Sequence, residues 1–460
     1  MGNILCYVRP WNKKQFNSIV NNACKSQSIV YVSDFSKEDD SGLYEVNKEY
    51  TNSRTLNVLI QDNSDLAFPL SDNEIIDIIA RCRLLRVLPE AGAKKLVLSM
   101  WLSLDKIFAK YLPEIGIGLT IDSYVIDLIN LRFSKGNKQY IGLIVSFVNG
   151  YTRITSRGEY KKIRNVSNKE VSDVLEKLTT KYQRPHFVKP ISGKNQIRYL
   201  SLKNYLKILT RFGYYFIKSF FDEDRSNYHY KVNLNKNNLL VNPFEFLSAK
   251  IEFEINSSDP ATKIYIPLQY FPEATVDYWV EDIKFINYFT VFFELLDLIS
   301  ELNVYVYVKE HPACIGIRPR GFYKKIKEYK NVNLVTVDSD PLEIIKSTDL
   351  TLVWTGTAGF EAALNGKPVI HLGNPYYASG SSKRFYYLEN IKDISKALSW
   401  ANSLEDMTYE CKFSLVQRLL EGLVSGEFRQ PVKRKGNWEF NRRDMEKVGD
   451  SISSLFEKIE

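Results

Sequence analysis

Two short runs in the C-terminal half combine residue types suited to holding a phosphorylated ligand. Lys309-Glu310-His311-Pro312 sets an ammonium and an imidazole two residues apart, and both groups donate to phosphate oxygens. Pro312 disfavours helix at His311, so the ring is held on a loop. Thr355-Gly356-Thr357-Ala358-Gly359-Phe360-Glu361 offers two glycines that let backbone approach an anion, two hydroxyls, and a following helix whose N-terminal amides favour negative charge. Glu361 falls in the first turn of that helix, where it can accept both hydroxyls of a ribose. Each feature has a plainer explanation. The glycines also suit a tight turn packed on a sheet, Glu361 also compensates a helix dipole, and a lone histidine is more often structural. Lys309 is what distinguishes His311, since His186, His229 and His371 lack such company, and His371 reads as a packing residue within a strand.

These runs need elements to position them. From residue 263 onward, short apolar β-rich runs at 264–268, 304–308, 332–336, 350–354 and 368–372 alternate with helical stretches, which predicts βαβ units in a parallel Rossmann-like sheet. In such a sheet ligands bind at the carboxyl ends of the strands. That rule puts Lys309 to Pro312, Thr355 to Glu361, and the Gln269-Tyr270-Phe271-Pro272-Glu273 run on one rim. Asp338-Ser339-Asp340 has the look of a metal-binding pair, but Asp340-Pro341-Leu342-Glu343 reads as a helix start: Asp N-cap, Pro at the first position, Glu at the third. The first half opens as a second α/β domain, with strands at 4–8 and 29–33. Helices are expected at 73–88, 93–111 and 121–131, a strand at 140–147, and mostly helix from 168 to 221. The polar stretch 222–242 reads as the connection. The expected organisation is an α/β domain with a helical extension at 1–245, a Rossmann-like domain carrying the three runs at 246–427, and a basic tail ending in an amphipathic helix at 428–460.

The chain has 460 residues, enough for two cores, and its 44% hydrophobic and 25% charged content is that of a globular protein. A net charge of +8 favours anionic partners such as sugar nucleotides, lipids or acidic glycans, without the concentrated basic face that nucleic acid calls for. Five scattered cysteines, none in a Cys-x-x-Cys spacing, argue against a disulfide framework or a zinc site and suit a reducing compartment. No signal peptide or transmembrane helix is read, so a cytoplasmic location is expected.

The stretches 267–275, 308–312, 356–362 with Gly366-Lys367-Pro368-Val369, and, in the first half, 147–159, resemble bacterial capsule and surface-polysaccharide glycosyltransferases. That family has the GT-B fold, two Rossmann-like domains facing across a cleft, and includes Kdo transferases. The resemblance implies that His311 and Pro312 bind the nucleotide phosphate of the donor. Thr355, Gly356, Thr357, Gly359 and Glu361, with Lys309, Gln269 and Glu273, complete the donor site. It implies a CMP-linked ulosonic acid or a UDP-sugar as co-substrate, no further cofactor, no metal, and a glycan or lipid-linked glycan acceptor. The catalytic carboxylate must then come from the first half, where the candidates are Glu159, after Arg157-Gly158, and Asp122, before a helical run. A solvated loop glutamate and a helix N-cap are their plainer readings. The basic tail is expected to give peripheral contact with the inner membrane. The alternatives are a sugar-nucleotide epimerase of the same architecture and a non-catalytic glycan-assembly subunit.

Overall fold

The computed structural model describes residues 3–9, 11–24, 27–33, 43–45, 70–180, 185, 191, 193–221, 233–245, 260–378, 383–434 and 437–456. His186 and His229 lie outside them. The chain forms two compact units, one of residues 1–168 with 417–460 and the other of residues 169–416.

The first unit is built on seven strands. They are β1 (Asn3–Tyr7), β2 (Ile29–Ser33), β3 (Leu43–Glu45), β4 (Pro113–Leu119), β5 (Gln139–Val145), β6 (Tyr151–Ile154) and, from the far end of the chain, β13 (Leu423–Ser425). Their order is β13-β6-β5-β4-β1-β2-β3, parallel from β5 to β3, with β6 and β13 antiparallel at one edge. A Ser71–Glu74 capping box starts the helix Asp72–Arg81, and Glu90–Tyr111 and Tyr124–Lys135 follow.

The second unit is an all-parallel sheet. Its strands β7 (Thr262–Pro267), β8 (Val304–Lys309), β9 (Val332–Val335), β10 (Leu350–Val353), β11 (Val369–His371) and β12 (Phe385–Tyr387) run in the order β12-β11-β10-β7-β8-β9. The helix Tyr288–Ser300 buries Phe292, Leu295, Leu296 and Ile299 in one core with Ile264 and Ile266 of β7 and Val306 and Val308 of β8. Two parallel-sheet α/β units are the architecture expected of the GT-B class.

The division of the chain differs from the expected break near 245 and from the expected separate tail at 428–460. The chain returns to the first unit at residue 417. There β13 pairs with β6, Leu423 against Arg153 and Ser425 against Tyr151, and the helix Arg442–Phe456 lays Met445, Val448 and Ile452 into one core with Phe16, Ile19 and Val20 of the helix Lys13–Ala23. Both apolar helix faces are covered by that packing, so the tail is a structural part of the unit. Gly449 lies where the two helices touch, since an added Cβ would stand 2.5 Å from the Ile19 carbonyl oxygen and 2.8 Å from Asn22 Cβ. Gly449→Val is therefore expected to cost about 1–3 kcal/mol, read as a lowered denaturant midpoint. An unchanged midpoint would mean that the C-terminal helix is dispensable to the unit.

Candidate functional site

Parallel pairing of β10, β7 and β8 brings their carboxyl ends to one edge of the second sheet. Pro267 pairs with Lys309, and the Leu268 amide donates to the Lys309 carbonyl at 2.8 Å, so the runs that follow start side by side. A buried ion pair ties them together. Glu310, 1% exposed, accepts from Arg318 Nε at 2.8 Å and Nη2 at 2.7 Å, and from the Tyr323 hydroxyl at 2.7 Å. The same Arg318 Nη2 donates to the Gln269 carbonyl at 2.8 Å, and the Gln269 amide donates to the Tyr288 hydroxyl at 2.9 Å. Burial opposes the charge on Arg318, but Glu310 beside it outweighs that and raises the guanidinium pKa above its ordinary value. The rings of Phe289 and Phe322 each lie 5.7 Å from the guanidinium carbon.

His311 hangs on this anchor. Its amide donates to the Glu310 carboxylate, and its Nδ1 accepts from the Ala313 amide at 3.2 Å, capping the short turn Pro312–Cys314. Acceptance at Nδ1 assigns the proton of the neutral ring to Nε2. Desolvation lowers the His311 pKa from 6.5 to about 4, so the ring is a neutral donor near pH 7. Tyr270 stands 5.4 Å from it, ring to ring. Lys309, the last residue of β8, is itself buried. His371 is a different case. Its Nδ1 meets the Gly373 carbonyl at 2.7 Å, its ring stacks on Tyr387, and burial lowers its pKa to about 4, all as befits a packing residue.

The β10 end is joined to the β7 end by small contacts. Thr355 Oγ1 donates to the Thr275 carbonyl at 3.3 Å, Thr275 Oγ1 donates to Glu273 at 2.6 Å, and Gln269 Nε2 donates to Thr275 Oγ1 at 3.4 Å. A Cβ on Gly356 would lie 3.2 Å from Gln269 Oε1. Gly359 serves packing: a Cβ there would meet the Tyr377 hydroxyl at 2.5 Å and Val353 Cγ2 at 3.0 Å. Tyr377, which the sequence reading passed over, donates to the Gly356 carbonyl and fixes the turn. Thr357 precedes the helix Ala358–Leu364 and makes no side-chain cap, while Glu361 is half-buried in its first turn. The structure thus gathers Gln269, Glu273, Lys309, His311, Pro312, Thr355, Gly356, Thr357, Gly359 and Glu361 at one edge. Sequence reasoning missed Glu310, Arg318, Tyr288, Tyr323 and Tyr377. Glu310 sat inside a noticed run, but its partner eight residues on carries no local signal.

Asp340 behaves as expected of a cap, accepting from the Leu342 amide at 2.9 Å with Pro341 following. Glu343 pairs with Lys346 at 3.0 Å and closes no capping box. Among the described residues, no three His, Cys, Asp or Glu side chains are grouped to hold a metal.

In the first unit the loops that carry Asp122 and Glu159 meet, since the Ile121 amide and Thr120 Oγ1 both donate to the Ser156 carbonyl, at 3.1 and 2.9 Å. Asp122 is no N-cap, a position held by Ser123. It takes a bidentate pair from Arg9, Nη1 at 2.7 Å and Nη2 at 2.6 Å. The Glu159 carboxylate folds back on its own turn, accepting from the Ser156 amide at 2.6 Å, the Arg157 amide at 2.5 Å and Thr155 Oγ1 at 3.0 Å. Arg157 anchors that turn from below, through Nε to Asp127 at 3.1 Å and Nη1 to Asp77 at 3.2 Å. Burial, working against Arg157, raises the Asp127 pKa.

Residues 290–381 match the family described as "Capsule polysaccharide biosynthesis protein". The match is to a capsule-biosynthesis family. It takes in Lys309, His311, Pro312 and the run from Thr355 to Glu361, and bears out the resemblance carried by those motifs. The capsule polysaccharide modification protein LipA of Neisseria meningitidis serogroup B is 32% identical over 73 residues, 16% of this chain and 10% of that protein. The match therefore spans about a tenth of the length of that relative. Among solved structures, Thermosulfurimonas dismutans KpsC, a beta Kdo 2,7 transferase, aligns over 99% of both chains with 13% identity and a TM-score of 0.37. Methanocaldococcus jannaschii UDP-GlcNAc 2-epimerase aligns over 99% of both with 11% identity and a TM-score of 0.29.

The two desolvated histidines give the fold a pH dependence. Unfolded, each takes up its proton near 6.5; folded, only near 4. The unfolded chain therefore binds more protons in this window, so stability is full above about 6.5 and is lost as pH falls towards 4. Urea midpoints are expected to fall across that range, and less steeply in His311→Gln. A His311→Gln slope equal to that of the unaltered protein would contradict the desolvated environment of His311.

Proposed function

We propose that this chain is a glycosyltransferase of capsule or other surface-polysaccharide synthesis, and that its second unit holds the nucleotide-sugar donor. The observation that carries this is His311: a neutral ring at the end of β8 with its proton on Nε2, anchored through Glu310 beside Gln269 and Gly356 on one sheet edge. Its sequence neighbourhood is the matched capsule segment. A neutral imidazole with a fixed N–H donates to a phosphate without titrating near pH 7, and Lys309 adds positive charge beside it. The donor is read as a CMP-linked ulosonic acid such as Kdo, or else a UDP-sugar.

In the transfer, an acceptor hydroxyl oxygen bonds to the anomeric carbon as the bond from that carbon to the phosphate oxygen breaks. The hydroxyl proton passes to a carboxylate and the nucleotide leaves with the electron pair. Charge on the leaving phosphate is met by His311, Lys309 and the amides around Gly356, an arrangement that needs no metal ion. Asp122 is the better candidate for the carboxylate, because Arg9 orients it from outside its own loop, whereas Glu159 is consumed in closing its turn. The acceptor is a growing glycan or a lipid-linked glycan, and the reaction belongs in the cytoplasm, where sugar nucleotides are made.

Purified protein is expected to gain about 2.7 kcal/mol of stability at a hundredfold excess of the correct nucleotide-sugar over its Kd, read as a thermal shift across CMP-, UDP- and GDP-sugars. His311→Ala is expected to lose most of that shift. No shift with any nucleotide would sink the donor-site reading.

A further inference from the structure

The helix Gly193–Lys218 is 26 residues long and carries Lys194, Arg198, Lys203, Lys207, Arg211 and Lys218 with no Asp or Glu. Its inner face is fixed to the second unit. Ile197 and Ser201 are buried, Ser201 Oγ donates to the Pro243 carbonyl, and Asn204 Nδ2 donates to the Ile315 carbonyl at 2.9 Å. On the opposite side of a 3.6-residue helix fall Tyr199, Leu202, Leu206 and Ile217, with Phe220 just past its end. Those five side chains are 62%, 43%, 48%, 61% and 66% exposed, and Phe221 beyond them is 84% exposed. An apolar stripe of this extent on a folded surface marks an interaction site.

Charge names the partner. Lys203, Lys207 and Arg211 stand at intervals of four along one flank of the stripe, a spacing at which like charges repel on an isolated helix. Desolvation, and then Arg211 and Lys203, pull the Lys207 pKa down. A row of cations held against its own repulsion beside an aromatic and aliphatic stripe matches a surface that is anionic at the level of the ammonium groups and apolar just beneath. At 1.5 Å per residue the helix is about 39 Å long, which suits a plane rather than a pocket. Among the described residues no helix is long and apolar enough to cross a membrane.

We infer that the outward face of the helix Gly193–Lys218 docks the protein on an anionic lipid bilayer, with Leu206, Ile217 and Phe220 entering the headgroup layer and Lys203, Lys207 and Arg211 meeting lipid phosphates. The C-terminal helix has no such face to offer, because its apolar side is buried against Lys13–Ala23. The assignment stands apart from the donor site, and the failure of either leaves the other intact.

Co-sedimentation of the full chain with phosphatidylcholine vesicles, with and without about a third of phosphatidylglycerol, tests it. Binding is expected only with the anionic lipid and is expected to fall as salt rises. Lys203→Gln with Lys207→Gln and Arg211→Gln is expected to weaken it on the order of a hundredfold. Leu206→Ser with Ile217→Ser is expected to weaken it too, with the melting temperature unchanged in both variants. Absence of binding, or equal binding to neutral vesicles, would overturn the inference. So would binding that survives the serine substitutions and is competed away by a soluble acidic polysaccharide, which would make the face a glycan site.

Discussion

The arrangement at the edge of the second sheet depends on one buried ion pair, Glu310 with Arg318. Taking two charges out of water costs several kcal/mol each, and the pair is tolerable because most of its polar atoms are bonded, Arg318 Nη1 being left without a partner. Both oxygens of Glu310 are used, Tyr323 adds a hydroxyl, and Arg318 makes a third bond, from Nη2 to the Gln269 carbonyl. Removing one partner of such a pair generally costs about 3–5 kcal/mol, because the other is left charged and dry. Through the bonds of this pair the loops after β7 and β8 are tied to one another. His311 inherits its place from it, since its amide is bonded to the same carboxylate.

The ion pair sets the geometry, and desolvation sets the chemistry. A histidine on an exposed loop would exchange protons near neutral pH, whereas the one here is held as a neutral donor by its surroundings and by the Ala313 amide at Nδ1. The third strand end, after β10, is locked by different means: Tyr377 grips the Gly356 carbonyl, and the absence of a Cβ at Gly359 lets that ring lie against the helix start. The first unit shows the same economy, with Arg9 and Arg157 each anchoring a loop through a carboxylate.

Five of the six parallel strands of the second unit, β7 to β11, were legible because each is a short, largely buried apolar run, and periodicity plus length identifies those, whereas β12, three half-buried residues, was not. The strand-end rule then placed the motifs on one edge. β4 was not legible. Its Pro113-Glu-Ile-Gly-Ile-Gly-Leu119 contains one proline and two glycines, types depleted in strands, yet Gly116 and Gly118 fit there because a Cβ would strike Phe133 at 2.4 Å and the Tyr140 hydroxyl at 2.6 Å. The return of the chain to the first unit was hidden for another reason. The pairing of Leu423 with Arg153 joins residues far apart in sequence, and its edge strand is only three residues long. The same distance hid the partner of Asp122, whose bidentate bond to Arg9 overrides the local reading of a cap.

The central claim is that His311 presents an Nε2 proton to a nucleotide phosphate. The nitrogen NMR spectrum of the imidazoles, recorded while CMP- and UDP-sugars are titrated in, tests it most directly. The account predicts opposite tautomers for the two rings, Nε2–H at His311 and Nδ1–H at His371, and a shift at His311 Nε2 alone as the nucleotide saturates. A bound nucleotide that leaves the His311 signals unmoved, or a proton found on His311 Nδ1, would contradict it.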